Sequence, residues 1–312
     1  MDTVSAVVQR RAVVLDGGLS NQLAAAGHDL ADALWSARLL HDDPGAIAAA
    51  HLAYFRAGAE VAITSSYQAT FEGFAARGHS KADAAVLLRR SVALARSAAS
   101  EVDGQRWVAA SVGPYGAMLA DGSEYRGRYG LSVAELERFH RPRMEVLAAA
   151  EPDLFALETI PDVDEAEALL RIADDIGIPA WLSFSTKGNT TNAGQPLREA
   201  FALAAGSTAL IATGVNCCAP GDVLPAVEIA ARLTGKPVVV YPNGGGAWDG
   251  ASNTWNGAPG FDMTPLAEWI SAGARLIGGC CRVGPAEIAE LSARIGPAAA
   301  RRSAPSPRPR SG

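Results

Sequence analysis

Cysteine is scarce in this chain, four in 312 residues, and lysine is scarcer still, at Lys81, Lys187 and Lys236. No apolar stretch approaches the roughly 18 uninterrupted residues a membrane span needs. No basic run precedes the tail and the formal net charge is −6, which removes the electrostatic case for nucleic acid or an anionic membrane as partner. Met1–Arg10 has no basic n-region leading into a long apolar run, so no signal peptide is expected. The cytosol is then the default compartment, where thiols stay reduced and clustered cysteines favour metal binding or catalysis over disulfides. His28, His41, His51, His79 and His140 all fall in the first half of the chain, away from expected strand ends. They offer neither a His-based triad nor a Cys–His dyad and are expected at the surface or in packing. Gly244-Gly-Gly246 lacks the spacing of a dinucleotide fingerprint, and nothing matches a P-loop, so nucleotide phosphate binding is unsupported.

What is present is 49% hydrophobic and 19% charged, ordinary for a globular enzyme with a sizeable core. Short, nearly continuous apolar runs alternate with helical patterns. Strands are expected at Ala12–Gly18, Glu60–Tyr67, Trp107–Pro114, Leu154–Ile160, Ala180–Thr186, Ala209–Cys217, Pro237–Asn243 and Arg275–Cys280. Helices are expected between them, among them Asp32–Leu40, Pro44–Ala57, Lys81–Ser100, Ser132–Ala150 and Pro285–Ile295. Eight strand–helix units point to an α/β fold, a single-domain (β/α)8 TIM-type barrel over residues 11–297, with a doubly wound open sheet as the rival. Residues 1–10 read as a frayed lead-in, and the Pro/Ser/Arg-rich residues 298–312 as a disordered tail. Loops leaving the strands are long (Tyr115–Gly130, Lys187–Pro196, Gly244–Asp262) and the returns from the helices are short. In such barrels the long-loop rim carries the chemistry.

The four cysteines form two vicinal pairs, in Gly214-Val-Asn-Cys-Cys218 and in Gly278-Gly-Cys-Cys-Arg282. Both pairs fall at strand ends on that rim. No Cys-x-x-Cys knuckle exists, so a closed structural zinc built from compact spacing is disfavoured. The reading is a zinc site held by Cys217, Cys280 and Cys281, with Cys218 turned away. For two adjacent cysteines to face one ion the chain must bend sharply, which Gly278-Gly279 would allow. Three thiolates leave one position open, suited to holding a substrate thiol as a nucleophilic thiolate. A closed site using Cys218 as fourth ligand is the alternative.

On the same rim Asp16-Gly17-Gly18 ends the first strand and Glu158 nearly ends the fourth. Two carboxylates could hold an amino group and the glycine amides a carboxylate, together gripping an α-amino acid whose sulfur reaches the zinc. Asp16 could instead cap its turn, and Glu158 could pair with an arginine. Thr64, Ser65 and Ser66 end the second strand and could add hydrogen bonds. Tyr115, Tyr125, Tyr129, Trp248 and Trp255 in the long loops could cradle a cationic methyl donor such as a sulfonium. Two rival readings keep the barrel: a Schiff-base lyase using Lys187 after the fifth strand, and a non-catalytic zinc-stabilised binding module.

With Leu15-Asp-Gly-Gly-Leu19, Gly214-Val-Asn-Cys217 and Gly278-Gly-Cys-Cys281 in place, the chain resembles the homocysteine S-methyltransferases from Leu15 to about Ile295. The resemblance implies a zinc-dependent barrel that methylates homocysteine to methionine. It implies Cys217, Cys280 and Cys281 as the ligands, and Asp16, Gly17 and Glu158 as homocysteine contacts. Thr64, Ser66 and Asn216 are expected as further substrate-binding positions on the same rim. Ala62–Thr70, Ser111–Ala117 and Leu119–Gly127 resemble the branch that uses S-methylmethionine, and S-adenosylmethionine less well, rather than betaine. Two departures stand out: Asn21-Gln22 where the family often has Thr-Glu, and the extra thiol of Cys218.

Overall fold

The computed structural model describes residues 2–30, 34–249 and 254–295. Eight parallel strands form the core: β1 (Val13–Val14), β2 (Val61–Ile63), β3 (Trp107–Val112), β4 (Leu154–Ile160), β5 (Ala180–Phe184), β6 (Leu210–Asn216), β7 (Val238–Tyr241) and β8 (Ala274–Ile277). From β2 to β8 each pairs with the next in chain order, and β8 returns to β1. The remaining seam, between β1 and β2, carries the parallel bridge Leu15–Val61 and the bonds Asp16 N–H to Val61 O and Glu60 N–H to Val14 O. That seam makes the sheet a nearly closed (β/α)8 barrel, as the eightfold repeat predicts, and excludes the open doubly wound sheet.

Alternation along each strand sorts the side chains into two layers. Val13, Leu15, Val61, Ala109, Ala156, Trp181, Ala212, Val239 and Leu276 fill the barrel interior. Val14, Ala62, Val108, Ala110, Phe155, Leu157, Val240 and Ile277 face the surrounding helices. The helices begin where their caps say they should. Ser80 and Ser132 form capping boxes with Asp83 and Glu135, and Asp43 and Asp162 accept from the first turns of Pro44–Arg56 and Val163–Ile176.

The first ten residues depart from the expected frayed lead-in. Val4–Val8 is a helix capped by the Thr3 side chain, with Val4, Val7 and Val8 buried in the interior layer. Valines three and four apart share one helix face, and here that face stoppers the barrel at the end opposite the long loops. The expected helix Asp32–Leu40 is in part a 3-10 turn, Trp35–Arg38, followed by the short helix Leu39–Asp42; Asp32 lies outside the described residues, as do residues 298–312. Among the described residues no helix is long and apolar enough to cross a membrane.

Candidate active site

The two cysteine-bearing strand ends meet across β7. Cys217 follows β6 directly and sits at φ +49°, the left-handed region that a side chain other than glycine occupies at a cost. Its N–H donates to Tyr241 O (3.1 Å), so the turn is registered on β7. Beyond β8 the chain is tied into the same place: Cys280 N–H donates to Pro242 O (2.8 Å) and Cys281 N–H to Asn243 Oδ1 (3.2 Å). The sulfurs of Cys217, Cys280 and Cys281 lie within 4.8 Å of one another, with Cys217 and Cys281 at 3.8 Å. A tetrahedral zinc with bonds of about 2.3 Å sets its sulfurs roughly 3.8 Å apart, which the Cys217–Cys281 pair already matches, with Cys280 within 4.8 Å of both. Shared hydrogen bonds from Cys280 and Cys281 pull the Cys217 thiol well below its ordinary pKa, and the same sharing pushes the other two up.

Gly278 and Gly279 serve this arrangement, though not through the bend freedom expected of them. Neither has positive φ; the left-handed residue is Arg282, at φ +65°. The glycines are there for close approach. A Cβ on Gly278 would stand 2.6 Å from Asp16 O, and one on Gly279 would stand 2.2 Å from the Val283 side chain. Cys218 faces away into the helix-facing layer, buried among apolar residues, and burial raises its thiol pKa. It is not part of the trio.

A cavity of about 310 Å³ opens on the three sulfurs and is lined also by Gly17, Gly18, Asn21, Glu158 and Tyr241. Glu158 accepts from the Ser111 hydroxyl and from Tyr241. Neither partner is a cation, so burial pushes its carboxyl up to about 7. Asp16 sits just behind the wall. Its Oδ2 accepts from Ile63 N–H (2.8 Å), its Oδ1 is buried with no partner, and burial again raises its pKa. Two un-neutralised carboxyls beside three thiols favour a ligand that brings a positive charge and a soft sulfur.

Other expected contacts are distributed differently. Gly17 and Thr64 line the cavity and so does Ser65. Ser66 is fully buried, donating to Ser111 O and bonded to Thr64 Oγ1, because alternation at the strand end turns it behind the wall. Asn216 likewise braces the site from behind: its Oδ1 accepts from Thr159 N–H and its amide donates to Thr159 Oγ1. The Gly18 amide is committed to Val283 O and is not free for a substrate carboxylate. Of the loop aromatics, Tyr125 and Trp255 reach the cavity, and the Tyr125 hydroxyl lies 3.3 Å from Cys217 Sγ. Tyr115 and Tyr129 instead pack on each other, with Tyr115 also against Phe139; the Trp248 side chain lies outside the described residues. Lys187 is exposed in a small hairpin and does not line the cavity. Three lining aromatics escaped sequence reasoning: Trp35, Tyr67 and Tyr241. Tyr67 and Tyr241 stood in plain view at strand ends, but a tyrosine there is as often a wall as a contact.

The buried His140 braces a loop. His140 accepts from Arg143 at Nδ1 (2.7 Å), which leaves its proton on Nε2 to donate to Glu165 Oε1 (2.8 Å). Glu165 also accepts from Tyr115 N–H, so this relay pins the loop after β3.

A (β/α)8 barrel with a substrate-sized cavity on its strand-end rim, lined by three thiols whose sulfurs could hold a soft metal, has the layout of a barrel enzyme. A sequence profile described as "Homocysteine S-methyltransferase" matches residues 13–295. The chain is 47% identical over 294 residues to the homocysteine S-methyltransferase of Escherichia coli, covering 90% of this chain and 94% of that one. It is 44% identical to homocysteine S-methyltransferase YbgG of Bacillus subtilis, covering 90% and 93%. The crystal structure of the E. coli homocysteine methyltransferase MmuM in a metallated form superposes with a TM-score of 0.83 at 44% identity, covering 93% of this chain and 99% of that one. The chain belongs to the homocysteine S-methyltransferase family and is a methyltransferase.

Proposed function

We propose that the enzyme moves a methyl group from S-methylmethionine, with S-adenosylmethionine as a poorer donor, to the sulfur of homocysteine. The observation that carries the reading is the meeting, in one cavity, of three cysteine sulfurs within 4.8 Å of one another and the charge-hungry Glu158. Cys217, Cys280 and Cys281 would hold zinc, which when bound keeps a substrate thiol deprotonated.

The chain's own groups supply the rest. Glu158 accepts the ammonium of homocysteine, with the free Oδ1 of Asp16 adding field behind it, and this fixes the amino-acid end so that its sulfur points at the trio. The rings of Tyr67 and Tyr125, both lining the cavity, present their negative faces to a sulfonium. Burial keeps both tyrosines neutral. The homocysteine sulfur then forms a bond to the methyl carbon, and the carbon–sulfur bond of the sulfonium breaks with its electron pair staying on the departing sulfur. From S-methylmethionine both products are methionine. Holding the two sulfurs in line is where most of the rate enhancement comes from. The reduced thiols this needs suit the cytosol.

The test is metal analysis of the purified protein together with methionine formation from homocysteine and each of S-methylmethionine, S-adenosylmethionine and betaine. About one zinc per chain and fastest turnover with S-methylmethionine are expected. A betaine preference would overturn the donor assignment.

A further inference from the structure

We propose that Arg282 is a positioning residue for the methyl donor, locking the hairpin that walls the outer cavity to the strand end that carries Cys280 and Cys281. Arg282 sits at φ +65°, where glycine would be unstrained and arginine is not. A strained non-glycine residue persists where its side chain is held by its surroundings, and here the side chain is well occupied. Its Nη1 donates to Gly245 O and to Gly257 O, both at 3.2 Å. Those carbonyls flank the hairpin in which Ala247–Asp249 pairs with Thr254–Asn256. The guanidinium also stacks over the Trp255 ring, 5.3 Å from its centroid, and Trp255 lines the cavity beside the cysteines. The backbone N–H of Arg282 donates to Asn21 Oδ1 (2.8 Å), and Asn21 lines the cavity from the β1 side. One residue thus ties the hairpin, the metal-ligand turn and the first loop together.

The consequence falls on one substrate. The proposed grip on the amino-acid acceptor is the buried Glu158, whereas Trp255 is a half-buried part of the cavity wall. Releasing the hairpin therefore loosens the side from which the second reactant approaches and leaves the cysteine trio in place. The link to a sulfonium donor rests on the function proposed above.

The decisive variant is Arg282→Gly, because glycine keeps the N–H to Asn21 and relieves the left-handed strain, so the fold has no reason to fail. Expected are unchanged zinc content, unchanged melting temperature, unchanged KM for homocysteine and a KM for S-methylmethionine raised roughly tenfold, from loss of a cation–π contact and two hydrogen bonds. Proteolytic cleavage within 245–257 should become faster. Arg282→Lys should recover only part of the loss, since an ammonium cannot stack and bridge two carbonyls as a planar guanidinium does. Trp255→Leu should be non-additive with Arg282→Gly. An Arg282→Gly enzyme with wild-type donor KM and wild-type cleavage would overturn the proposal, and so would loss of zinc with a lowered melting temperature, which would make Arg282 a support of the metal ligands. Failure of the wild type to use S-methylmethionine would sink the donor assignment alone, and the cleavage comparison would still decide the role of Arg282.

Discussion

At the scale of the single residue, the two vicinal cysteine pairs are unequal partners although they read alike in sequence. Cys217 is aimed into the cavity by a left-handed backbone, and the next residue is thereby turned into the apolar layer. Cys281→Ala should reduce zinc to a trace and abolish methionine formation, while Cys218→Ala should keep both and lose about 1 kcal/mol of stability from the small void; elemental analysis and a denaturant titration separate the two. Glu158 gives a pH prediction. Its carboxyl ionises near 7 in the fold against 4.5 in the open chain, so the folded protein holds a proton that the unfolded one has released between those values. Stability from this group is present below about pH 4.5 and is lost as pH rises through 7, by roughly 3 kcal/mol. The role proposed for Glu158 in holding the ammonium of homocysteine predicts the opposite trend for binding, because only the ionised carboxylate grips an ammonium. The KM for homocysteine should fall as pH rises from 6 to 8, and in Glu158→Gln that slope should vanish. A slope unchanged in the variant would assign the titration elsewhere.

Among the elements, those with strong periodicity or strong caps were legible and those defined by tertiary packing were not. The long helices Lys81–Ser100 and Val133–Ala148 carry serine caps and an apolar stripe, and their extents match the expected ones closely. All eight barrel strands were readable as apolar runs, though the true ladders are shorter: β1 is two residues long, because the chain leaves the sheet as soon as its inward side chains are placed. The amino-terminal helix was missed. Five residues of valine, serine and alanine have too little length for a periodic signal, and their helicity comes from the barrel floor they cover. Val8→Ala should cost about 2 kcal/mol by truncating a fully buried side chain, seen as a lower denaturant midpoint with KM for both substrates unchanged. Site residues divide in the same way. Strand-end cysteines, Glu158 and Gly17 could be placed from their position on the rim. Ser66 and Asn216 could not be told from wall-lining neighbours, because which face a side chain takes at a strand end depends on where the chain begins to turn. Trp35 reaches the cavity from a loop whose path no local pattern encodes, and Tyr67, though it stands just past a strand, reads the same whether it walls the cavity or contacts a substrate.

At the scale of the whole molecule, the barrel stands on its own packing. The interior layer and the helix-facing layer are filled without any contribution from the cysteine trio beyond Cys280, which packs at the edge of the interior. Chelation should therefore abolish methyl transfer well before it melts the fold, with circular dichroism nearly unchanged at 25 °C in the metal-free enzyme. Simultaneous loss of both signals would instead support a structural zinc module.

The trio draws on β6 and β8, with β7 lying between them, and Cys217 and Cys280 are 63 positions apart in the chain. No partly folded segment shorter than that stretch can assemble the set. An ion held by all three sulfurs is therefore expected only once β6, β7 and β8 are together, where it would work as a clasp across them. Loaded protein should accordingly open more slowly than metal-free protein while folding at the same speed, a difference that stopped-flow traces in denaturant would display on one limb alone.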